Sequence, residues 1–159
     1  MITKINKITM FEKIVSTGNS AVGFFLRLAL GIVMLAHGLQ QTLGWSGGNG
    51  FSGTMKYYHG FYHIPWIISL GGILSISLGA VLLIIGLWGR IMAFLQGIFL
   101  LAAMLFVHVS NGFFMNWAGT MHGEGFEFHI LGIGMAIAII FYGSGWLSVD
   151  RLLTAKGHK

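Results

Sequence analysis

Four apolar runs, each close to 20 residues long, fill most of the chain: roughly 20–40, 66–88, 91–109 and 127–147. A helix that crosses the hydrocarbon core of a bilayer needs about 20 mainly apolar residues. The runs are too long for strands and show no period of two. Only 8% of the residues are charged, against about 25% in ordinary soluble domains, so the chain cannot clothe a water-facing surface. These features predict an all-α, polytopic membrane protein built as a four-helix bundle. The 25 glycines and single proline suit closely packed helices in lipid. Gly89-Arg90 leaves room only for a tight turn, which makes the second and third spans antiparallel neighbours.

Basic residues near the span ends set the expected orientation. Lys4, Lys7 and Lys13 precede the first span, Arg90 sits between the second and third, and Arg151, Lys156 and Lys159 follow the fourth. The other two loops, 41–65 and 110–126, hold Lys56 alone. An even number of spans puts the first group on one side, so the N- and C-termini are expected to be cytoplasmic. Residues 1–19 read as a cytoplasmic tail or interfacial helix, 20–153 as the transmembrane domain and 154–159 as a second cytoplasmic tail. The first span is long for a signal-peptide core, and no small-x-small cleavage site follows it.

Several chemistries are excluded or weakly signalled. There is no Cys, so thiolate metal sites and dithiol redox chemistry are not carried by this chain. The net charge of +5 comes from residues at the ends of apolar runs, which form no continuous patch for nucleic acid. The GGNGFSG segment has no preceding strand and no Gly-Lys-Ser/Thr, so it does not read as a phosphate loop. No haem, flavin or iron–sulfur motif is evident. The sequence therefore signals no metal centre, although His59 and His63 are spaced so that a helix could turn both toward one ion.

Helical phase sorts the polar residues. Arg27, Gly31, Met34, Gly38 and Gln41 share one stripe of span one, with His37 at its edge. Span two carries Gly72, Ser75, Gly79 and Gly86 on one stripe. Span three aligns His108 with Met104, Leu101 and Gly97, and span four aligns Glu127 with Gly134, Ala138 and Gly145. A charge inside a bilayer is costly and usually faces the bundle interior. Arg27 is expected either to snorkel to the inner interface or to find a buried partner, with Asp150 the acid at the right depth. The small-residue stripe assigns the interior to Glu127. His129, about 200° away on the same helix, then faces a loop, a neighbouring helix or the interface.

Polar residues from three spans converge at the outer end. His37 and Gln41 close span one, His108 and Asn111 close span three, and Glu127 and His129 open span four. The loop before span four adds Asn116, Trp117, His122 and Glu124. Solvation of polar helix ends accounts for part of this clustering. The sharper reading is a ligand pocket lined by His37, Gln41, His108, Asn111 and Glu127, with Asn116, Trp117, Glu124 and His129 close by. His108 and Glu127 are the candidates for proton-handling chemistry. Both outer loops are long, Gly-rich and aromatic, and long loops of this kind are often functional.

The chain resembles the DoxX family of small membrane proteins. The carrying segments are Arg27-Leu28-Ala29-Leu30-Gly31 with His37-Gly38-Leu39-Gln40, Gly50-Phe51-Ser52-Gly53-Thr54-Met55, Ile64-Pro65-Trp66, Gly86-Leu87-Trp88-Gly89-Arg90, Asn111-Gly112-Phe113-Phe114, Asn116-Trp117, Gly123-Glu124-Gly125-Phe126-Glu127-Phe128-His129, and Gly143-Ser144-Gly145 leading to Ser148-Val149-Asp150. The resemblance runs from about residue 20 to 153. It implies a four-helix membrane fold in a bacterial or archaeal cytoplasmic membrane. It also implies a place in quinone-linked or redox-stress oxidoreductase systems, with a quinone as ligand and a partner protein as electron source. Gln41 and Ile76 depart from the family's pattern, where Lys and Glu are common. A non-catalytic scaffold or assembly factor is the competing expectation, and a small transporter ranks last because no inverted repeat is visible.

Overall fold

The computed structural model describes residues 10–156, and all regular structure among them is helical. The expected tail residues Lys4, Lys7 and Lys159 lie outside the described residues. Helix α1 is Met10–Val15 and α2 is Ala21–Leu43. Helix α3, Gly50–Met55, runs into a π turn at Lys56–Phe61. The second apolar run splits into α4, Trp66–Ile76, and α5, Leu78–Ile85. Helix α6, Gly89–Ala103, continues through a π turn at Met104–His108 and a 3-10 turn at Val109–Asn111. Helix α7 is Glu127–Tyr142 and α8 is Val149–Lys156.

Local chemistry sets these limits. Ser20 caps α2, accepting from the Gly23 amide at 3.3 Å. Gly44, at φ 74°, ends the helix in the left-handed conformation. Pro65 precedes the first turn of α4. The break between α4 and α5 falls at Ser77 (φ −101°, ψ −83°), whose hydroxyl donates back to the Ile73 carbonyl at 2.7 Å. The fourth run ends earlier than its hydropathy suggests. The sequence reads a span to 147, but α7 stops at Tyr142 because Gly143 (φ 77°) and Gly145 (φ 69°) turn the backbone.

Among the described residues three helical stretches are long and apolar enough to cross a membrane: Ala21–Leu43, Trp66–Ile85 and Gly89–Asn111. Glu127–Tyr142 is apolar but shorter. Around the bundle α2 packs on α4–α5, α4–α5 on α6, α6 on α7 and α7 back on α2. Leu30, Met34, Ile76, Leu83, Leu100 and Ile139 meet in its core. Phe25, Ile32, Leu131 and Phe141 are among the large apolar side chains facing outward, the surface of a multi-pass membrane protein. Glycine permits the closest approach. A Cβ on Gly38 would overlap the Ile76 carbonyl, so α2 meets the α4–α5 junction backbone to backbone.

The end of the bundle that carries the Gly86–Trp88 turn is held by a polar knot. Arg27 is buried and does not snorkel. Its guanidinium donates to four main-chain carbonyls: Ser144 (2.9 Å), Trp146 (2.9 Å), Leu147 (2.8 Å) and Ile84. It also lies 5.1 Å from the centre of the Phe24 ring. Asp150, the expected partner, instead accepts from the Trp88 and Gly89 amides (2.8 and 2.9 Å) and the Ser144 hydroxyl (2.6 Å). Arg90 donates to the carbonyls of Ser16, Ile140 and Phe141. Thr154 donates to the Val15 carbonyl at 2.9 Å, joining α8 to α1. In the irregular stretch 143–148 the carbonyls of Ser144, Trp146 and Leu147 accept from Arg27, that of Gly145 from the Ser148 hydroxyl and that of Ser148 from the Leu152 amide, so backbone outside the helices still finds protein donors.

Candidate functional site

The opposite end of the bundle is hollow. A cavity of about 610 Å³ lies between α2, α4, α6 and the start of α7. Its walls are apolar, with Met34, Ile68, Ile98, Phe99, Phe106 and Phe128 among the lining residues. The polar groups lining it include His37 and Gln41 from α2, Tyr57, Tyr58 and Tyr62 from the π turn after α3 and its continuation, His108 from the end of α6, and His129 from α7. Ser69 and Ser75 line the α4 wall.

Three histidines gather here for different local reasons. His37 stands at the edge of the inward stripe of α2, exposed yet lining the cavity, and its ring lies 6.2 Å from that of Phe128. His108 depends on the π turn. The inward face of α6 runs through Ala93, Gln96 and Leu100, whereas Leu101 is exposed. Regular α periodicity would keep His108 in phase with Leu101. The wider π turn absorbs one residue and returns His108 to the inward face. His129 opens the inward stripe of α7, followed by Gly132, Ala136 and Ile139, all buried. The rings of His108 and His129 lie 4.3 Å apart.

The hydrogen bonds fix part of the chemistry. His108 Nδ1 lies 2.8 Å from the Glu124 carbonyl oxygen, which can only accept, so Nδ1 carries the proton. His129 is 6% exposed and its Nδ1 is buried without a hydrogen-bond partner. Gln41 accepts from the Tyr58 hydroxyl at 3.1 Å through Oε1, and its carbonyl accepts from Thr54 at 3.2 Å. Burial pushes the Tyr58 phenol up to about 12, outweighing the opposing effect of its bond to Gln41. Tyr57 is also raised, first by its hydrogen bond with Tyr62 (3.2 Å) and then by burial. Both phenols therefore stay protonated, as donors, through the ordinary pH range.

The structure brings His37, Gln41, His108, Glu124 and His129 together on the cavity and places the other sequence candidates elsewhere. Glu127 does not take the interior position. Its Oε1 accepts from the Met115 amide at 3.1 Å, and its own amide donates to the Phe113 carbonyl at 2.9 Å. The reason lies in α7, where Gly132 and Ala136 face inward while Gly134 is exposed. Small residues occupy both faces, so they did not distinguish them. Asn111 donates to the Glu124 carbonyl at 3.1 Å. Asn116 is tied to Met121 in both directions (3.1 and 3.0 Å), and its amide donates to Glu124 Oε2 at 2.7 Å. These residues build the loop that covers the His108 side of the cavity. Trp117 is 88% exposed at the tip of that loop.

His59 and His63 do not share a helical face. The π turn ends at Phe61, His63 takes φ 55°, and His59 Nδ1 contacts the Ile64 carbonyl at 2.8 Å. Among the described residues no group of three His, Cys, Asp or Glu is placed to hold a metal ion. Sequence reasoning missed the tyrosines of the YYHGFY segment, although an aromatic cluster just before an apolar span was the available signal. It also missed Gln96, a lone amide in an apolar run. Gln96 is fully buried, donates to the Ser75 carbonyl at 3.3 Å and leaves its Oε1 unpartnered.

Comparison with curated proteins and with solved structures gave no match. Comparison with protein-family models gave one, the DoxX model, over residues 22–109. The matched stretch runs from α2 to the end of the π turn in α6, and so includes His37, Gln41, the tyrosine cluster and His108; the likeness seen in the sequence beyond residue 109 lies outside it. With more than half of its 159 residues matched, the chain belongs to the DoxX family of membrane proteins.

Proposed function

We propose that the protein is a membrane subunit of a quinone-linked or redox-stress oxidoreductase system, binding a quinone or similarly polar-headed molecule in the cavity between α2, α4, α6 and α7. One observation carries the reading: apolar walls around about 610 Å³, with His37, His108, His129, Gln41 and Tyr58 among the few polar groups lining it. Ligand sites for small molecules have this size and this combination of apolar lining and sparse polar anchors. A quinone head needs two hydrogen-bonding positions on a flat apolar ring, which imidazole, amide and phenol groups supply. Histidine also exchanges protons near neutrality. The chain carries no cofactor motif of its own, so the electrons come from a partner protein.

The test is the content of the purified protein. Material isolated in mild detergent is expected to release a quinone on solvent extraction, at close to one per chain by mass spectrometry. His129→Phe keeps a flat ring but removes a hydrogen bond, and it is expected to lower retention about tenfold, the effect of roughly 1.4 kcal/mol. An empty wild-type protein that co-purifies with a stoichiometric partner would replace this reading with the scaffold one. The outward aromatic side chains of Phe113, Phe114 and Trp117 favour that second reading.

In this proposal the cavity faces the outside of a bacterial or archaeal cytoplasmic membrane, both termini are cytoplasmic, and residues 20–153 form the membrane domain. The arrangement is supported by Arg90 and Arg151 at the end opposite the cavity. Single cysteines at Ser46 and Thr120 should react with an impermeant thiol reagent in intact cells, while one at Gly18 should not. All three positions are exposed. The reverse pattern would overturn the orientation.

A further inference from the structure

We infer that the cavity takes its ligand sideways from the lipid, between α4 and α6, and selects the hydroxyl-bearing, reduced form of that ligand's head over the carbonyl form. This rests on the reading of the cavity as a quinone site and states which redox form it holds. The path follows from exposure. Ile68 on α4 is 62% exposed, and Ile98 and Phe106 on the α6 side are 50% and 67% exposed, yet all three line the cavity. Gly71 lines it too, and a Cβ added there would meet nothing within 4 Å. The same residues thus face both the cavity and the lipid-facing exterior, leaving a gap through which an apolar tail can pass. Two π turns, at Lys56–Phe61 and Met104–His108, flank the cavity. Such turns often occur where a functional site interrupts an α-helix.

The selection follows from the tautomers. His108 spends its one proton on the Glu124 carbonyl, so the neutral ring offers Nε2 only as an acceptor. His129 has its Nδ1 buried without a partner. A buried lone pair without a donor is tolerated better than a buried orphan N–H, which places the His129 proton on Nε2. The adjacent rings therefore offer one acceptor and one donor. A hydroxyl satisfies both, donating to His108 and accepting from His129. A carbonyl can only accept, and it would set its lone pairs against that of His108. Gln41 adds a further donor, because its Oε1 is already engaged by Tyr58 while its amide nitrogen is not.

The test uses the full chain in lipid nanodiscs, with empty nanodiscs as the blank. The probes are a decyl-substituted dimethoxybenzoquinone, its hydroquinone kept reduced under anaerobic conditions, and the tailless hydroquinone, each titrated calorimetrically. The hydroquinone is expected to bind about tenfold tighter than the quinone, the effect of one hydrogen bond gained. His108→Phe should bring that ratio close to one by weakening the hydroquinone. Gly71→Phe should plug the gap and weaken the decyl hydroquinone about tenfold more than the tailless one. Equal binding of the two redox forms by the wild type, or preference for the quinone, overturns the inference and leaves the quinone-site reading standing. Unchanged decyl binding in Gly71→Phe overturns the lateral path. If neither redox form binds, both the inference and the reading beneath it fall. The wild-type comparison needs no variant to fold.

Discussion

Arg27→Met is expected to yield almost no folded protein. Four main-chain carbonyls, from Ile84, Ser144, Trp146 and Leu147, take their hydrogen bonds from this one guanidinium. Methionine fills similar volume and donates nothing. A buried acceptor left without its donor costs about 1–3 kcal/mol, so four of them at the low end total roughly 4 kcal/mol. That is comparable to the whole stability of a small domain, about 5–15 kcal/mol. The stretch 143–148 has no helical ladder to fall back on, because Gly143 and Gly145 have already turned it out of α7. Arg27→Lys should be intermediate, since an ammonium has three donors and no planar fork to span four carbonyls. The measurement is the yield of monodisperse protein in detergent and its melting temperature. Wild-type values for Arg27→Met would refute the account of the knot.

Gly38→Leu is expected to be nearly as damaging and to empty the cavity as well. A Cβ at this position overlaps the Ile76 carbonyl and comes within 2.7 Å of the Ser77 Cα. Both obstacles are backbone, so no rotamer change relieves the overlap. Helix α2 must move off the α4–α5 junction and carry Met34, His37 and Gln41 with it. Overpacking of a core costs about 1–3 kcal/mol where side chains can adjust; here they cannot, so the upper end applies. Gly31→Ala is the control on the same stripe. Its nearest obstacle is Ile84 Cγ1 at 2.7 Å, a side-chain atom rather than backbone, so a shift of that side chain relieves the overlap without moving the helix. Gly38→Leu should lose both thermal stability and retention of the proposed quinone, and Gly31→Ala should keep most of each. Equal effects would show that backbone contact at Gly38 is not what sets the helix spacing.

Hydropathy was enough to read the bundle because length and apolarity together define a span. The inward stripe of α2 was also legible, since Arg27, Gly31 and Gly38 mark one face, while the opposite face, which includes the exposed Ala29 and Ala36, carries no glycine and no charge. The partner of Arg27 was not legible. Sequence reasoning looked for a carboxylate, but the guanidinium is satisfied by main-chain carbonyls, which every residue carries and no sequence displays. The face of α7 was misread because its apolar residues surround the helix and glycine and alanine occur on both sides. The role of Glu127 follows from that misreading: at a helix start its carboxylate binds a loop amide. The phase of His108 was hidden for another reason. A π turn changes which residues align without changing their hydropathy, so a stripe drawn at constant pitch ran through Leu101 instead of Leu100.

That same turn bears on how this site could arise and be lost. Residues 104–108 hold one residue more than an α turn would, and the surplus has the form of a single-codon insertion late in α6. A lineage that deletes one residue there would relax the helix to regular pitch and leave the histidine two turns after Leu100, still facing inward, whereas relaxing the turn without a deletion would put it in phase with Leu101 and swing it toward the lipid. Helix α6 would still pack through Ala93, Gln96 and Leu100, and the knot around Arg27 at the far end would be untouched. The scaffold and its chemistry are in this sense separately heritable. A change of pitch between Leu100 and Asn111 at constant length, which leaves the hydrophobic profile intact, is therefore the change to look for when comparing chains that keep the fold and differ in what they bind.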